Sequence, residues 1–250
     1  MTLSRRTVNT LLAGAPLAGA LPSALAQARR DSVTLAMVLE PPGLDPTIAP
    51  AAAIGEIVHY NVLEGLTKVN VDGSVTPLLA ESWSLTPDGK TYTFNLRRGI
   101  RYSDGKPFDA NAVKFSFDRA KAPTSTNKAK KAVFDNISSV VVHDEHTVIL
   151  VLNNADASLP FRLGENTAVI LHPDTAAQAA TKPVGTGPYL LDNWAKGSAV
   201  TLVKWDGHRN AANVRMRRAS FRFVTDPAAQ GAALLAGDID GLPRFGALQA

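Results

Sequence analysis

The clearest alternation of apolar and polar residues runs from Thr91 to Leu96. Aromatic or aliphatic side chains occupy every second position of this stretch, which predicts a β-strand with one buried face. Pro87, Asp88 and Gly89 come shortly before it. They are typical of a tight turn, because proline fixes φ and glycine tolerates a positive φ. The pattern therefore predicts a turn that leads into a half-buried strand.

Two stretches have helical rather than alternating periodicity. Asp109 lies where an N-cap is expected, and Val113 and Phe117 are four residues apart on one helical face. Apolar residues also recur at helical spacing through residues 54–66, which predicts a helix that carries His59. Each helix is predicted to bury one face.

The rest of the pattern consists of short β-rich runs and one further predicted helix. Asp226 and Gly237 are placed as the N-cap and the C-terminal glycine of a helix. The polar residues 143–146 separate two of the runs and indicate a hairpin tip. Residues 122–131 have no apolar face and indicate a loop. Strands with helices between them predict a mixed α/β chain. The predicted strands are 33–38, 138–142, 147–152, 168–171, 199–204 and 219–224.

Several sequence blocks follow one another in the order of a known family. The chain resembles the family 5 extracellular solute-binding proteins, which are the dipeptide, oligopeptide, nickel and glutathione receptors of bacterial ABC importers. The resemblance extends over residues 33–240. The blocks are LDP at 44–46, LEGL at 63–66, PLLAESW at 77–83, the turn–strand–turn–helix segment at 86–119, PVGTGPY at 183–189 and LAGDID at 235–240.

The resemblance implies a fold and a domain organisation. The fold is an α/β lobe of the type II periplasmic-binding-protein kind with an inserted β-rich subdomain. The lobe core is expected at residues 27–64 and 165–250, and the insert at 65–164. Members of the family are about twice this length, as two lobes require. We therefore expect a first lobe from a truncated or partial gene, with the second lobe missing.

The N-terminus is typical of an export signal. Arg5 and Arg6 precede the uncharged residues 11–25, and two A-x-A sites follow. This run is short for a membrane span and contains two prolines. We predict a signal peptide at residues 1–26, either secretory or twin-arginine in type. The chain has no cysteine, so we expect neither disulfides nor a lipid anchor, and a periplasmic product.

Charge and motif counts weigh against other classes of function. Without Arg5 and Arg6 the chain has 24 basic and 22 acidic residues, which is too balanced for a polybasic surface. Arg215 and Arg217 are expected to share a solvated strand face, so we predict no nucleic-acid binding. Phosphate-loop, calcium-loop and hydrolase motifs are not completed, and residues 143–146 are interpreted as a hairpin tip rather than a metal site. We predict no cofactor, no metal and no enzymatic activity.

Two segments are candidates for contact with a ligand. The first follows the predicted strand at 33–38, where α/β folds place ligand groups. The second contains paired glycines, which let backbones approach closely. For Glu40 a ligand contact and a structural role are equally favoured, whereas Asp45 is expected to stabilise a turn. The candidate residues are Glu40, Pro41 and Pro42 in the first segment and Gly185, Thr186, Gly187 and Tyr189 in the second.

The sequence as a whole predicts a binding protein. The leading interpretation is a monomeric periplasmic receptor that binds a peptide or peptide-like solute and delivers it to an inner-membrane ABC permease. The alternative is a truncated remnant of such a receptor that does not bind. The ligand itself is not predicted.

Overall fold

The computed structural model describes residues 31–49 and 51–242 of the 250-residue chain. The predicted signal peptide, residues 1–26, lies outside the described residues. Short 3-10 helices occur at Phe134–Asn136, Asn166–Ala168, Ala176–Gln178 and Ala211–Asn213. The strands and α-helices are, in chain order, β1 (Ser32–Met37), α1 (Ala52–Val58), β2 (Thr67–Val69), β3 (Val75–Pro77), β4 (Ala80–Leu85), β5 (Thr91–Leu96), α2 (Ala110–Lys121), β6 (Ile137–Asp144), β7 (Thr147–Leu152), α3 (Leu159–Arg162), β8 (Tyr189–Ala195), β9 (Ala199–Lys204), β10 (Arg218–Phe223) and α4 (Pro227–Ala236).

Two four-stranded sheets organise this part of the chain. The antiparallel sheet has the strand order β4-β5-β7-β6, and the mixed sheet has the order β1-β10-β9-β8. Strands β2 and β3 form a separate pair. Each large sheet contributes to its own hydrophobic cluster, the antiparallel sheet together with α2 and the mixed sheet together with α1. The predicted mixed α/β class is confirmed.

The antiparallel sheet follows the predicted alternation. Tyr92, Phe94 and Leu96 are buried, and Gly89 adopts a φ of +70° in the turn before them. The carboxylate of Asp109 accepts hydrogen bonds from the first turn of α2, as an N-cap does. Strands β6 and β7 pair as the predicted hairpin. Local pattern and local structure agree at β5, at the cap of α2 and at the β6–β7 hairpin, whereas β4 is not among the predicted strands.

The mixed sheet joins distant parts of the chain. Strand β1 pairs in parallel with β10 along its whole length, and β10, β9 and β8 pair antiparallel. Residues after α4 pair with the other edge of β1, where the amide of Ala36 donates to the carbonyl oxygen of Gly241 at 3.0 Å. As predicted, Asp226 caps α4 and Gly237 ends it with a φ of +78°.

The predicted helix through residues 54–66 is wrong beyond Val58. His59 is extended, and Tyr60 has a φ of 60°. The hydroxyl of Tyr60 donates to the carbonyl oxygen of Gly164 at 2.5 Å and accepts from the amide of Val69 at 2.9 Å. These bonds hold the chain where it folds back, so the later apolar residues of the stripe are buried outside a helix.

The predicted strand at residues 168–171 is also wrong. A 3-10 helix ends at Ala168, and the following residues are buried without belonging to a sheet. The amide of Ile170 donates to the carbonyl oxygen of Glu64, and that of Leu171 donates to the hydroxyl of Ser116. This apolar segment contributes to both hydrophobic clusters, which explains its composition.

Arg215 and Arg217 do not share a strand face, because β10 begins at Arg218. The amide of Arg217 instead donates to the carbonyl oxygen of Asp31 just before the strand. In the part of the chain that the structure describes, none of the helices has the length and apolar character needed to span a bilayer.

Candidate ligand-binding site

A pocket of about 540 Å³ opens where the chain leaves β1 and enters α1. Its wall is mostly apolar, and its two ionisable side chains are both carboxylates. We call it the Glu40 pocket. Pro42 contributes to it, whereas Pro41 is buried and is not part of its wall. The lining residues are Val38, Leu39, Glu40, Pro42, Ala51, Ala52, Ala53 and Glu56.

Glu40 is fixed by the hairpin of β8 and β9. The indole N–H of Trp194 donates to its Oε1 at 2.8 Å, and the backbone N–H of Gly197 donates to its Oε2 at 3.0 Å. The ammonium of Lys196 lies 3.0 Å from the centroid of the Trp194 ring, within cation–π distance. Glu40, one of the lining residues of the pocket, therefore ties the loop after β1 to the β8–β9 hairpin through its carboxylate.

The loop between the pocket and α1 is held by a buried ion pair that the sequence did not predict. Asp45 is 1% exposed and accepts from both the amide and the hydroxyl of Thr47, which forms the expected turn. Arg119 of α2 donates to Asp45 Oδ2 at 3.0 Å and also to Thr47. The pair ties the pocket loop to the helix that covers the antiparallel sheet.

The second candidate segment is buried against the chain that follows α1. A Cβ atom on Gly185 would overlap the carbonyl oxygen of Val62, and one on Gly187 would overlap that of Asn61. The amide of Gly187 donates to the carbonyl oxygen of Val62 at 3.0 Å. These glycines permit a close backbone approach at this position.

Thr186 lies between the two glycines and belongs to a charged cluster around the buried carboxylate of Glu64. Its hydroxyl donates to Glu64 Oε2 at 2.8 Å. Arg209 donates to both carboxylate oxygens of Glu64, at 2.7 and 2.9 Å, in a bidentate pair. Burial and the charge of Arg209 lower the pKa of His208 beside it. We call Glu64, Thr186 and Arg209 the Glu64 cluster.

Tyr189 begins β8 and does not line the Glu40 pocket. Its hydroxyl donates to the carbonyl oxygen of Met216 at 3.0 Å, and burial raises the pKa of the phenol. The structure thus separates the seven predicted residues. Glu40 and Pro42 line the pocket, whereas Pro41, Gly185, Thr186, Gly187 and Tyr189 are not among its lining residues.

The features that shape the pocket include three side chains that sequence patterns do not select. Val38 and Leu39 are exposed large apolar residues, and the indole of Trp194 donates to Glu40. The run at 33–38 indicates a strand but not which side chains remain uncovered. Within residues 31–49 and 51–242, no group of three or more histidines, cysteines, aspartates or glutamates is placed to hold a metal ion. The pocket offers an apolar wall and negative charge, which suits ligand binding.

Comparison with known proteins identifies the family. The chain matches "Bacterial extracellular solute-binding proteins, family 5 Middle" over residues 74–250. It is 33% identical over 196 residues to the glutathione-binding protein GsiB of Salmonella paratyphi A, with 74% of this chain and 37% of that protein covered. It is 30% identical over 260 residues to the di/tripeptide-binding protein 1 of Pseudomonas aeruginosa, with 94% and 48% covered.

A solved structure shows the same architecture. The protein AgaA of A. tumefacien R10, in complex with agropinic acid, superposes with a TM-score of 0.78 at 27% identity, over 83% of this chain and 43% of that one. The predicted lobe with its inserted β-rich subdomain is confirmed as the fold class. The chain spans between 37% and 48% of the length of the two curated relatives. At the level of the family these proteins bind solutes and are not enzymes, and the chain belongs to the family 5 bacterial extracellular solute-binding proteins.

Proposed function

We propose that this chain provides the ligand-binding lobe of a non-enzymatic receptor that delivers peptides or peptide-like solutes to an ABC importer. The observation that carries the proposal is the family match over residues 74–250. Relatives at 30% identity or more are named for di- and tripeptides and for glutathione. The structure of AgaA in complex with agropinic acid adds that compound to the ligands of proteins similar to this chain.

The Glu40 pocket is the proposed ligand contact of this lobe. It is concave, largely apolar and lined by a few polar groups, as small-molecule sites are. Glu40 and Pro42 belong to its wall, and Pro41 orders the same loop. The ligand contacts predicted at Gly185, Thr186, Gly187 and Tyr189 stay a prediction, and these residues do not line the Glu40 pocket.

The cellular setting is proposed on the same basis. We propose export by the signal peptide at residues 1–26, release into the periplasm without a lipid anchor, and action as a monomer with an inner-membrane permease. The core at 27–64 and 165–250 with an insert at 65–164 stays a prediction of domain boundaries. Two hydrophobic clusters, one around each large sheet, support it.

Ligand-dependent stabilisation tests the function. The exported chain is purified, and its thermal unfolding is followed with dipeptides, tripeptides, glutathione and nickel. A ligand at 100-fold excess over Kd that binds only the folded state adds about 2.7 kcal/mol to the free energy of unfolding. We expect stabilisation by at least one peptide-like ligand. No stabilisation by any of them would instead support the alternative of a remnant that does not bind.

A further inference from the structure

We infer that Trp194, near the tip of the β8–β9 hairpin, is a positioning residue for the Glu40 pocket and holds the carboxylate of Glu40 in the orientation in which it meets a ligand. This inference rests on the proposed function, because it takes the Glu40 pocket as the ligand site. It is carried by the hydrogen bonds from the hairpin to Glu40 and by the contacts that fix the hairpin itself.

Trp194 reaches the pocket only through Glu40. It is not among the residues that line the Glu40 pocket, but its indole N–H donates to Glu40 Oε1 at 2.8 Å. The backbone N–H of Gly197 donates to Glu40 Oε2 at 3.0 Å. With one donor on each oxygen, the carboxylate cannot rotate or swing away without losing a bond. Each carboxylate oxygen accepts more than one hydrogen bond, so both keep an acceptor position for a ligand.

A cation holds the indole in place. The ammonium of Lys196 lies 3.0 Å from the centroid of the Trp194 ring. The ring face attracts the cation, and this attraction adds to the packing that fixes the direction of the indole N–H. The indole edge is therefore turned towards Glu40 while its face is covered by Lys196.

The hairpin is a firm support, because its tip is bonded to the neighbouring strand. The amide of Ser198 donates to the carbonyl oxygen of Ala195 at 2.9 Å, and the amide of Phe223 on β10 donates to the carbonyl oxygen of Ser198 at 2.8 Å. Gly197 has a φ of +73°, which glycine adopts without strain. Trp194 is half-buried against the hydrophobic cluster of the mixed sheet. The two donors to Glu40 are thus part of the sheet rather than of a free loop.

The loop that carries Glu40 benefits from this support. Its ends are anchored, since the amide of Val224 donates to the carbonyl oxygen of Met37 and the amide of Leu44 donates to that of Ala180, both at 2.9 Å. Glu40 lies between these anchors, in a stretch that belongs to neither β1 nor α1. A side chain that is already ordered loses less conformational freedom when a ligand binds, so its preorganisation raises affinity.

Calorimetric titration of the exported full chain tests the inference with Leu-Leu, Ala-Ala-Ala and glutathione, and the tightest binder of the three is used for the variants. Trp194→Phe keeps an aromatic ring but removes the indole N–H. We expect the affinity to fall about three- to tenfold, because binding must then order a freed side chain. Trp83→Phe is the matched control, because Trp83 lies on β4 in the antiparallel sheet, and it should leave the affinity unchanged.

A double-mutant cycle shows whether Trp194 acts through Glu40. In a Glu40→Ala background, Trp194→Phe should not weaken binding further, because no carboxylate is left to position. An equal fall in both backgrounds would mean that the indole supports the fold as a whole, and would overturn the inference.

Tryptophan emission supplies a readout that needs no Glu40 variant. A ligand donor that reaches Glu40 changes the electrostatic surroundings of the indole bonded to it, so a saturating ligand should change the emission of the unmodified chain. The change should be absent in Trp194→Phe and should persist in Trp83→Phe. A change that persists in Trp194→Phe would come from another tryptophan and would contradict the inference.

The possible outcomes separate this inference from the proposed function. If a ligand binds and Trp194→Phe leaves its affinity unchanged, the inference is wrong and a peptide receptor remains. If none of the three ligands binds the unmodified chain, the inference and the proposed peptide-binding function both fail.

Discussion

The two large sheets are built in different ways. The antiparallel sheet takes every strand from residues 80–152, and its hairpins and turns lie within that range. The mixed sheet instead pairs β1 with β10, although every other strand and all helices except α4 lie between them in sequence. One sheet therefore depends on local pattern, and the other depends on distant parts of the chain meeting correctly.

Some of the contacts that join distant parts of the chain are highly specific. Gly185 and Gly187 pack against the backbone that follows α1, and the Glu64 cluster joins three separate segments. Neighbouring residues of β5 alternate between buried and more exposed positions, whereas these contacts have no periodic signature. Local alternation thus accounts for β5 and β7 of the antiparallel sheet, whereas close backbone approach and a buried carboxylate join distant segments around the mixed sheet. Variants that remove one kind of contact should therefore damage one sheet more than the other.

The largest loss of stability is expected for Gly185→Ala. The added Cβ would overlap the carbonyl oxygen of Val62, and packed backbone cannot move aside without disturbing its neighbours. We expect a loss of about 3 kcal/mol or more in the free energy of unfolding. Urea denaturation with linear extrapolation measures it.

Hydrogen exchange shows which of the two sheets Gly185→Ala destabilises more. Amides of β9 and β10 should lose more protection than amides of β5 and β7, because the strained contact supports the mixed sheet. Equal loss in both sheets would mean that the two regions unfold as one unit and would contradict the distinction drawn between them.

The Glu64 cluster gives the next largest expected loss. Arg209→Met leaves the carboxylate of Glu64, which is 3% exposed, without its bidentate partner. Loss of one partner of a buried pair costs about 3–5 kcal/mol, and the partial exposure of Arg209 reduces our expectation to about 2–4 kcal/mol. Chemical denaturation measures the change.

An exposed pair provides the control for this variant. Lys106 and Asp174 are more than half exposed, so Lys106→Met should lower the free energy of unfolding much less than Arg209→Met does. The double variant Glu64→Gln/Arg209→Met should recover part of the loss, because no buried charge is then left unpaired. If Arg209→Met and Lys106→Met lower the free energy of unfolding by similar amounts, the pairing of Glu64 with Arg209 does not stabilise the fold as proposed.

Elements that depend on neighbouring residues could be predicted from the sequence, whereas structure that depends on distant contacts could not. The strand β5, the cap at Asp109, the β6–β7 hairpin and the ends of α4 are predictable, because each depends on neighbouring residues. The periodicity of residues 54–66 predicts one helix, but the hydroxyl of Tyr60 bonds to segments far along the chain and the helix ends early. Tertiary bonds decide the local structure there.

The candidate site is predictable only in part. The position after β1 and the residues Glu40 and Pro42 follow from strand order and resemblance. The bond from Trp194 to Glu40 and the pair of Glu64 with Arg209 join residues that no spacing rule relates. Which apolar side chains stay exposed, as Leu39 does, depends on where the remaining chain packs.

Acid should lower the free energy of unfolding, because it protonates His59. Burial lowers the pKa of His59 to about 4, against an opposing hydrogen bond to the carbonyl of Gly164. Its ordinary value is 6.5, so between these pH values the unfolded chain binds a proton that the folded chain does not. The stability that depends on the neutral form of His59 is fully present at pH 7 and is lost as the pH falls from 6.5 towards 4. We expect a loss of about 3 kcal/mol between pH 7 and pH 4, since one pKa unit corresponds to about 1.4 kcal/mol; denaturation at a series of pH values measures it.

Two histidine variants test the assignment. His59→Gln should flatten the dependence of stability on pH over this range. His143→Gln, at the exposed tip of the β6–β7 hairpin, is the matched control variant. An unchanged slope in His59→Gln would assign the acid sensitivity to other groups.

A small effect of opposite sign is expected inside α4. A Cβ atom added at Gly231 would point into open space, and the φ of this residue is not in the left-handed region. Alanine is favoured over glycine inside a helix by about 0.5–1 kcal/mol, so Gly231→Ala should stabilise the protein by that amount. The same substitution at Gly185 should destabilise it, because a backbone atom there occupies the position of the methyl group. If the urea midpoints of the two variants shift in opposite directions, the destabilisation by Gly185→Ala is due to the close backbone approach at that position. A matching loss in both variants would mean that added bulk is harmful to this chain wherever it falls.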